Sequence, residues 1–182
     1  DNETPADAGD VNLGGVAVQV AAGGFHSCAL LNTGNVRCWG SADQGSTGYG
    51  NTTRIGDDEA PAIAGDVPVG GTVTQLSLGD FHTCALLDTG AVRCWGLNDV
   101  GQLGYGNTDT IGDDETPASI GDVPLGAKAL QISAGDNHTC ALLETGAVRC
   151  WGENQFGQLG QANTLTLGDD ETPALIGDIV LF

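Results

Sequence analysis

The sequence predicts an all-β chain built as a stack of four-stranded blades. Three observations carry this. The string "HSCALLNTGNVRCWG" at His26 to Gly40 returns almost unchanged at His82 to Gly96 and at His138 to Gly152. Glycine and turn residues interrupt every potential helix, so no apolar stripe of helical period survives. Each repeated hairpin is apolar on both faces, and a sheet of that kind has to be covered on both sides.

The repeat fixes the organisation. Cys28, Cys84 and Cys140 are separated by steps of 56 residues, and Trp39, Trp95 and Trp151 keep the same step without insertion or deletion. A constant period of this size marks a solenoid, a propeller or an array. The units are a partial repeat at 1–15, then repeats at 16–71, 72–127 and 128–182, the last with a closing overlap segment. "DNETPADAGDVNLGG" at the start and "GDDETPALIGDIVLF" at the end both match the inter-repeat stretch Gly112 to Gly126. Two ends in the same phase fit a cut from a longer array, or a building block whose end meets another chain's beginning.

The elements follow in order along the middle repeat. Thr74 to Leu78 alternates as a strand, with Thr74, Leu76 and Leu78 on one face and Gln75 and Ser77 on the other. Its counterparts start at Val18 and Leu130. A hairpin follows, with strands Thr83–Leu87 and Ala91–Trp95 around Asp88-Thr89-Gly90. A three-residue loop ending in glycine is a type I turn followed by a left-handed residue. A weaker fourth strand is expected at Pro117 to Ile120, where proline suits an edge. His82, Cys84, Leu86, Val92 and Cys94 share one hairpin face, and Thr83, Ala85, Leu87, Arg93 and Trp95 share the other.

The turn length sets the register: Leu86 lies opposite Val92, Ala85 opposite Arg93, and Cys84 opposite Cys94. The same count pairs Cys28 with Cys38 and Cys140 with Cys150. Directly opposed strand residues approach closely enough for a disulfide. Three cross-strand bridges would use all six cysteines, which implies an oxidising compartment: secreted, periplasmic or cell-surface. The competing reading is a zinc site at His82, Cys84 and Cys94, against which stand the spacing and the want of a fourth ligand. The histidines read as core residues making structural hydrogen bonds. Arg93 and Trp95, two apart on one face, allow either guanidinium–indole stacking or an arginine at the rim that shields the indole.

"HTCALLDTGAVRCWGLNDVGQLGYGN", from His82 to Asn107, resembles the RCC1-type repeat. The resemblance lies in Trp95-Gly96, Asn98, Gly101-Gln102-Leu103-Gly104, Gly106 and Pro117. The third copy repeats it with Asn154, Gly157-Gln158-Leu159-Gly160 and Pro173. The first departs, with Ala42 for the asparagine and Gly45-Ser46-Thr47-Gly48. The paired cysteines look like a bacterial, secreted branch of that family. The resemblance implies four-stranded propeller blades, usually seven to a ring, more than this chain can supply. An incomplete propeller, an oligomer-completed ring or an open array is therefore expected. Family members exchange nucleotide on a small GTPase and bind chromatin, or inhibit β-lactamase. None of those contact residues is identifiable in this sequence.

Each period also carries an acidic cluster: Asp57-Asp58-Glu59, Asp113-Asp114-Glu115 and Asp169-Asp170-Glu171, followed by Asp66, Asp122 and Asp178. Carboxylates on glycine-rich loops are weak candidates for Ca²⁺, although the spacing is that of neither an EF-hand nor a toxin-type nonapeptide. Otherwise they keep an exposed edge soluble. No other cofactor is implied.

A formal net charge of −19, with Lys128 the sole lysine, argues against nucleic acid, which needs clustered cations. No apolar run reaches the length of a membrane span. No asymmetric set of acid, base and nucleophile recurs, so no enzyme is expected. The expected function is a non-enzymatic extracellular or cell-surface scaffold acting through protein contacts. Its partners would be copies of itself or further repeats, with self-assembly into a fibre or array. The alternative is a propeller-type binding or inhibitor module for one protein partner, which the near-identical loops disfavour.

Overall fold

A computed structural model describes residues 4–179. The outermost residues of the two overlap segments, 1–3 and 180–182, lie outside the described residues. Three antiparallel sheets follow one another. The first holds β1 (Ala17–Ala22), β2 (His26–Leu31) and β3 (Val36–Gly40). The second holds β4 (Val73–Leu78), β5 (His82–Leu87) and β6 (Val92–Gly96). The third holds β7 (Ala129–Ala134), β8 (His138–Leu143) and β9 (Val148–Gly152). Each is a meander in sequence order, because the connections are too short for any crossover.

The hairpin register agrees with the turn argument. Leu86 pairs with Val92, Ala85 with Arg93 and Cys84 with Cys94, and the other two blades repeat this. Gly90 takes φ 84°, the left-handed conformation that the turn requires.

Two expectations are corrected. Pro117–Ile120 is a short helix, α3, not a fourth strand; the same turn recurs as α1 (Pro5–Ala8), α2 (Pro61–Ala64) and α4 (Pro173–Ile176). Proline at the first helical position has its φ already set and no N–H to lose, and Gly121 at φ 94° ends the turn. The fourth position of each blade is instead filled by single residues. Gly96 bridges Ile111 in both directions, at 2.7 and 3.2 Å, and Val123 N–H donates to Val92 at 2.8 Å. The sheets are thus three-stranded with an irregular outer margin. The second correction concerns Thr74, expected on the face of Leu76. It is the extra residue of a β-bulge between Val73 and Gln75, and it is exposed.

The core is continuous through the three blades, running from Cys28 and Leu30 through Leu76, Cys84 and Trp95 to Ile132 and Trp151. All six residues of β5 are buried, as a sheet covered on both faces demands.

The outer edges carry a substitute for a strand. Cys94 points its backbone N–H and C=O away from β5. The Tyr105 hydroxyl lies 3.3 Å from each and 3.1 Å from the Gly121 carbonyl. Burial pushes the Tyr105 phenol up to about 12, so the hydroxyl keeps its proton and remains a donor. Tyr49 does the same for Cys38 and Gly65.

Candidate functional site

The chemistry-bearing residues of the repeat converge on the contact between successive blades. Thr83 and Thr139 reach back to the preceding blade, and their hydroxyls lie 3.1 and 2.9 Å from the carbonyls of Ser46 and Gln102. The indole N–H groups of Trp95 and Trp151 donate to those same two carbonyls, each at 3.0 Å. The histidines of the preceding blade close the set. His26 Nε2 lies 2.7 Å from the Thr83 hydroxyl, and His82 Nε2 3.0 Å from that of Thr139. Each threonine proton is committed to a carbonyl, so the imidazole donates from Nε2. Burial holds His26 down at about 4 and His82 at about 3, the neighbouring imidazoles adding to the latter.

A glutamine clamp lies beside this row. The Gln19 side-chain amide receives the Leu76 N–H at 2.9 Å and donates to the Leu76 carbonyl at 2.8 Å. Gln75 treats Ile132 alike, at 3.0 and 2.8 Å. In this way one strand offers its backbone to the next blade's inner strand through a side chain. Sequence reasoning missed the clamp. Its signal was a glutamine repeated at the period inside an otherwise apolar strand.

The cysteines sit on the histidine face. Cα atoms of the opposed pairs lie 4.1, 4.1 and 4.0 Å apart, and the sulfurs are bonded as Cys28–Cys38, Cys84–Cys94 and Cys140–Cys150. His82 is turned to Thr139 and Cys84 and Cys94 are in a disulfide, so the three do not form a zinc set. Cys28 and Cys84 are fully covered by the following blade, whereas Cys140 is partly exposed.

The arginines are held by ion pairs at the blade margin. Arg37, Arg93 and Arg149 pair with Asp66, Asp122 and Asp178 at 2.6, 2.8 and 2.7 Å. Their other nitrogens donate to the carbonyls of Ala62, Val69 and Leu125. These aspartates therefore hold the connecting segment onto the blade edge and are not part of an acidic ligand set.

The acidic trios do come together. Carboxylate oxygens of Asp57, Asp58 and Glu59 lie within 4.8 Å of one another, as do those of Asp113, Asp114, Glu115 and of Asp169, Asp170, Glu171. Burial, then a hydrogen bond to the adjacent aspartate carboxylate, raises Glu115 and Glu171. Glu59 is raised first by its hydrogen bond with Asp58. Glu115 also accepts from Gly112 N–H at 3.3 Å. Each trio is thus a compact turn in which three carboxylates of the loop lie side by side.

Two family models match, both described as the Regulator of chromosome condensation (RCC1) repeat. One covers residues 17–46, 73–102 and 130–158, the other residues 89–142. The chain is similar to E3 ubiquitin-protein ligase HERC2 of Homo sapiens, 29% identical over 165 residues, which is 88% of this chain and 3% of that protein. It is similar to Ultraviolet-B receptor UVR8 of Arabidopsis thaliana, 36% identical over 147 residues, 80% of this chain and 31% of the receptor. The solved structure of Prp20p from Saccharomyces cerevisiae superposes with a TM-score of 0.58 at 31% identity, covering 79% of this chain and 34% of that one. The chain thus spans about a third or less of the length of these relatives. With three tandem matches and blades of the same build, the chain belongs to the RCC1 repeat family.

Proposed function

We propose that the chain is a non-enzymatic extracellular or cell-surface repeat scaffold that works through protein–protein contacts and extends by self-association into an array. One observation carries the reading. Leu76 and Ile132, on the inner strands of the second and third blades, are 2% exposed under the preceding blade, whereas Val20, at the same place in the first, is 69% exposed. A blade face that is buried twice within the chain stands open a third time.

Further support comes from how the polar groups are used. His26, His82, Thr83, Thr139, Trp95 and Trp151 are engaged in blade-to-blade bonds. All six cysteines lie in cross-strand pairs, which suits an oxidising compartment. Among the relatives, Prp20p is described with binding to Gsp1p and histones, so a propeller of this family serves as a protein-contact surface.

Sedimentation velocity across a concentration series tests the reading. Species growing beyond the 18.4 kDa chain as concentration rises are expected. A single species of chain mass at every concentration would contradict self-association.

A further inference from the structure

We propose that the third blade of one copy packs against the first blade of a second copy, head to tail, in the register that the chain uses twice internally. This rests on the scaffold reading and deepens it by naming the partner and the joint. Each internal joint has a giving and a receiving side. The giving side supplies the glutamine clamp, the histidine Nε2 and the carbonyl of Ser46 or Gln102. The receiving side supplies a strand backbone, a threonine hydroxyl and an indole N–H. The third blade keeps an open giving side, with Gln131 exposed, His138 half-buried and the Gln158 carbonyl in the place of Gln102. The first keeps an open receiving side, with Val20, Ser27 and Trp39.

Close approaches tell the same story. A Cβ on Gly45 or Gly101 would collide with Gly112 or Gly168 of the next blade, whereas one on Gly157 meets nothing within 4 Å. The place is cut for a neighbour's backbone, and the equivalent of Gly112 and Gly168 in the first blade is Gly56.

The argument for a second copy of this chain, in preference to any blade of the family, is a compensating pair. At the internal joints a Cβ on Gly50 would lie 3.3 Å from the Thr116 methyl, and one on Gly106 would lie 3.2 Å from the Thr172 methyl. In the third blade this glycine is Ala162. In the first blade the threonine is Ala60. The open giving side has gained one methyl where the open receiving side has lost one.

The joint also fixes which overlap segment is used. Ile179 N–H already donates to Val148 at 2.9 Å, the bond that Val67 and Val123 make to Val36 and Val92. Residues 4–11 of the incoming copy repeat that segment, so they stay outside the joint.

Two blocking variants test this. Val20→Arg obstructs the receiving side. Ser133→Arg obstructs the giving side, since Ser77, its counterpart, accepts the Ala134 N–H across the internal joint at 2.8 Å. Both replaced side chains are exposed, and near-ultraviolet circular dichroism verifies that each variant keeps its packing. In sedimentation velocity the unmodified 182-residue protein should assemble. Each variant alone should remain monomeric, and an equimolar mixture should form dimers and nothing longer. Assembly of the unmodified protein with no effect of either variant, or a mixture that stays monomeric, overturns the joint and leaves the scaffold reading standing. An unmodified protein that stays monomeric at every concentration overturns both, and points to further blades of the same polypeptide as the occupants.

Discussion

His82 and Thr139 are 57 residues apart in sequence and 3.0 Å apart in space, on facing sides of the second and third blades. The contact is part of a bonded row that runs on to the Gln102 carbonyl and the Trp151 indole. It joins blades through polar groups that would be costly to bury singly, so the contact specifies register as well as adhesion.

Replacing Thr139 by valine keeps the shape but strands the His82 Nε2–H and one acceptor site of Gln102. The expected loss is about 1–3 kcal/mol of unfolding free energy, read by urea denaturation. Thr139→Ser should recover most of it. Ser27→Ala, at the same place on the open first blade, should change stability by well under half of the Thr139→Val loss.

The histidines give the stability a pH dependence of known sign. Their folded pKa values, about 4 for His26 and about 3 for His82, lie below the usual 6.5. The unfolded chain therefore binds more protons across this interval. The contribution is complete above pH 6.5 and declines as pH falls through the interval to about 4 and about 3. Proton NMR of the ring C–H signals, followed as the pH is lowered, should show His82 titrating after His26. A His82 midpoint near 6.5 would contradict its burial.

Access orders the disulfides. Cys28–Cys38 and Cys84–Cys94 are 0% exposed, whereas Cys140 is partly open. A thiolate must reach a sulfur to exchange. Mild reduction under native conditions, followed by alkylation and peptide mass analysis, should label Cys140 and Cys150 first. In the assembled protein this preference should disappear.

Gly101 and Gly157 form a matched pair of sites, with φ of 72° and 78°. Alanine at either bears the left-handed penalty of roughly 1–2 kcal/mol. Only at Gly101 does the new Cβ meet another blade's backbone, so Gly101→Ala should lose about 1–3 kcal/mol more in dilute solution.

The hairpins were legible because a three-residue turn ending in Gly90 leaves one register, and that register placed Cys84 against Cys94. The bulge at Thr74 was not, since a polar residue at a strand's start reads equally as an alternating position. The helix at Pro117 was not legible by pattern, because four residues carry no periodicity. The threonine-proline opening and the glycine after Ile120 were its signal. The Arg93–Asp122 pair could have been found from its constant offset of 29 residues, shared by Arg37–Asp66 and Arg149–Asp178. The glutamine clamp depends on which strand lies beside which in the next blade, and a single repeat does not contain that information.

The three tryptophans provide the most direct test of blade-on-blade contact. Hydrogen exchange of their indole N–H signals, followed by NMR in dilute solution, should give two slow protons, Trp95 and Trp151, bonded to Ser46 and Gln102, and one fast proton, Trp39, on the open face. Three indoles exchanging alike, at the rate of free tryptophan, would contradict the account.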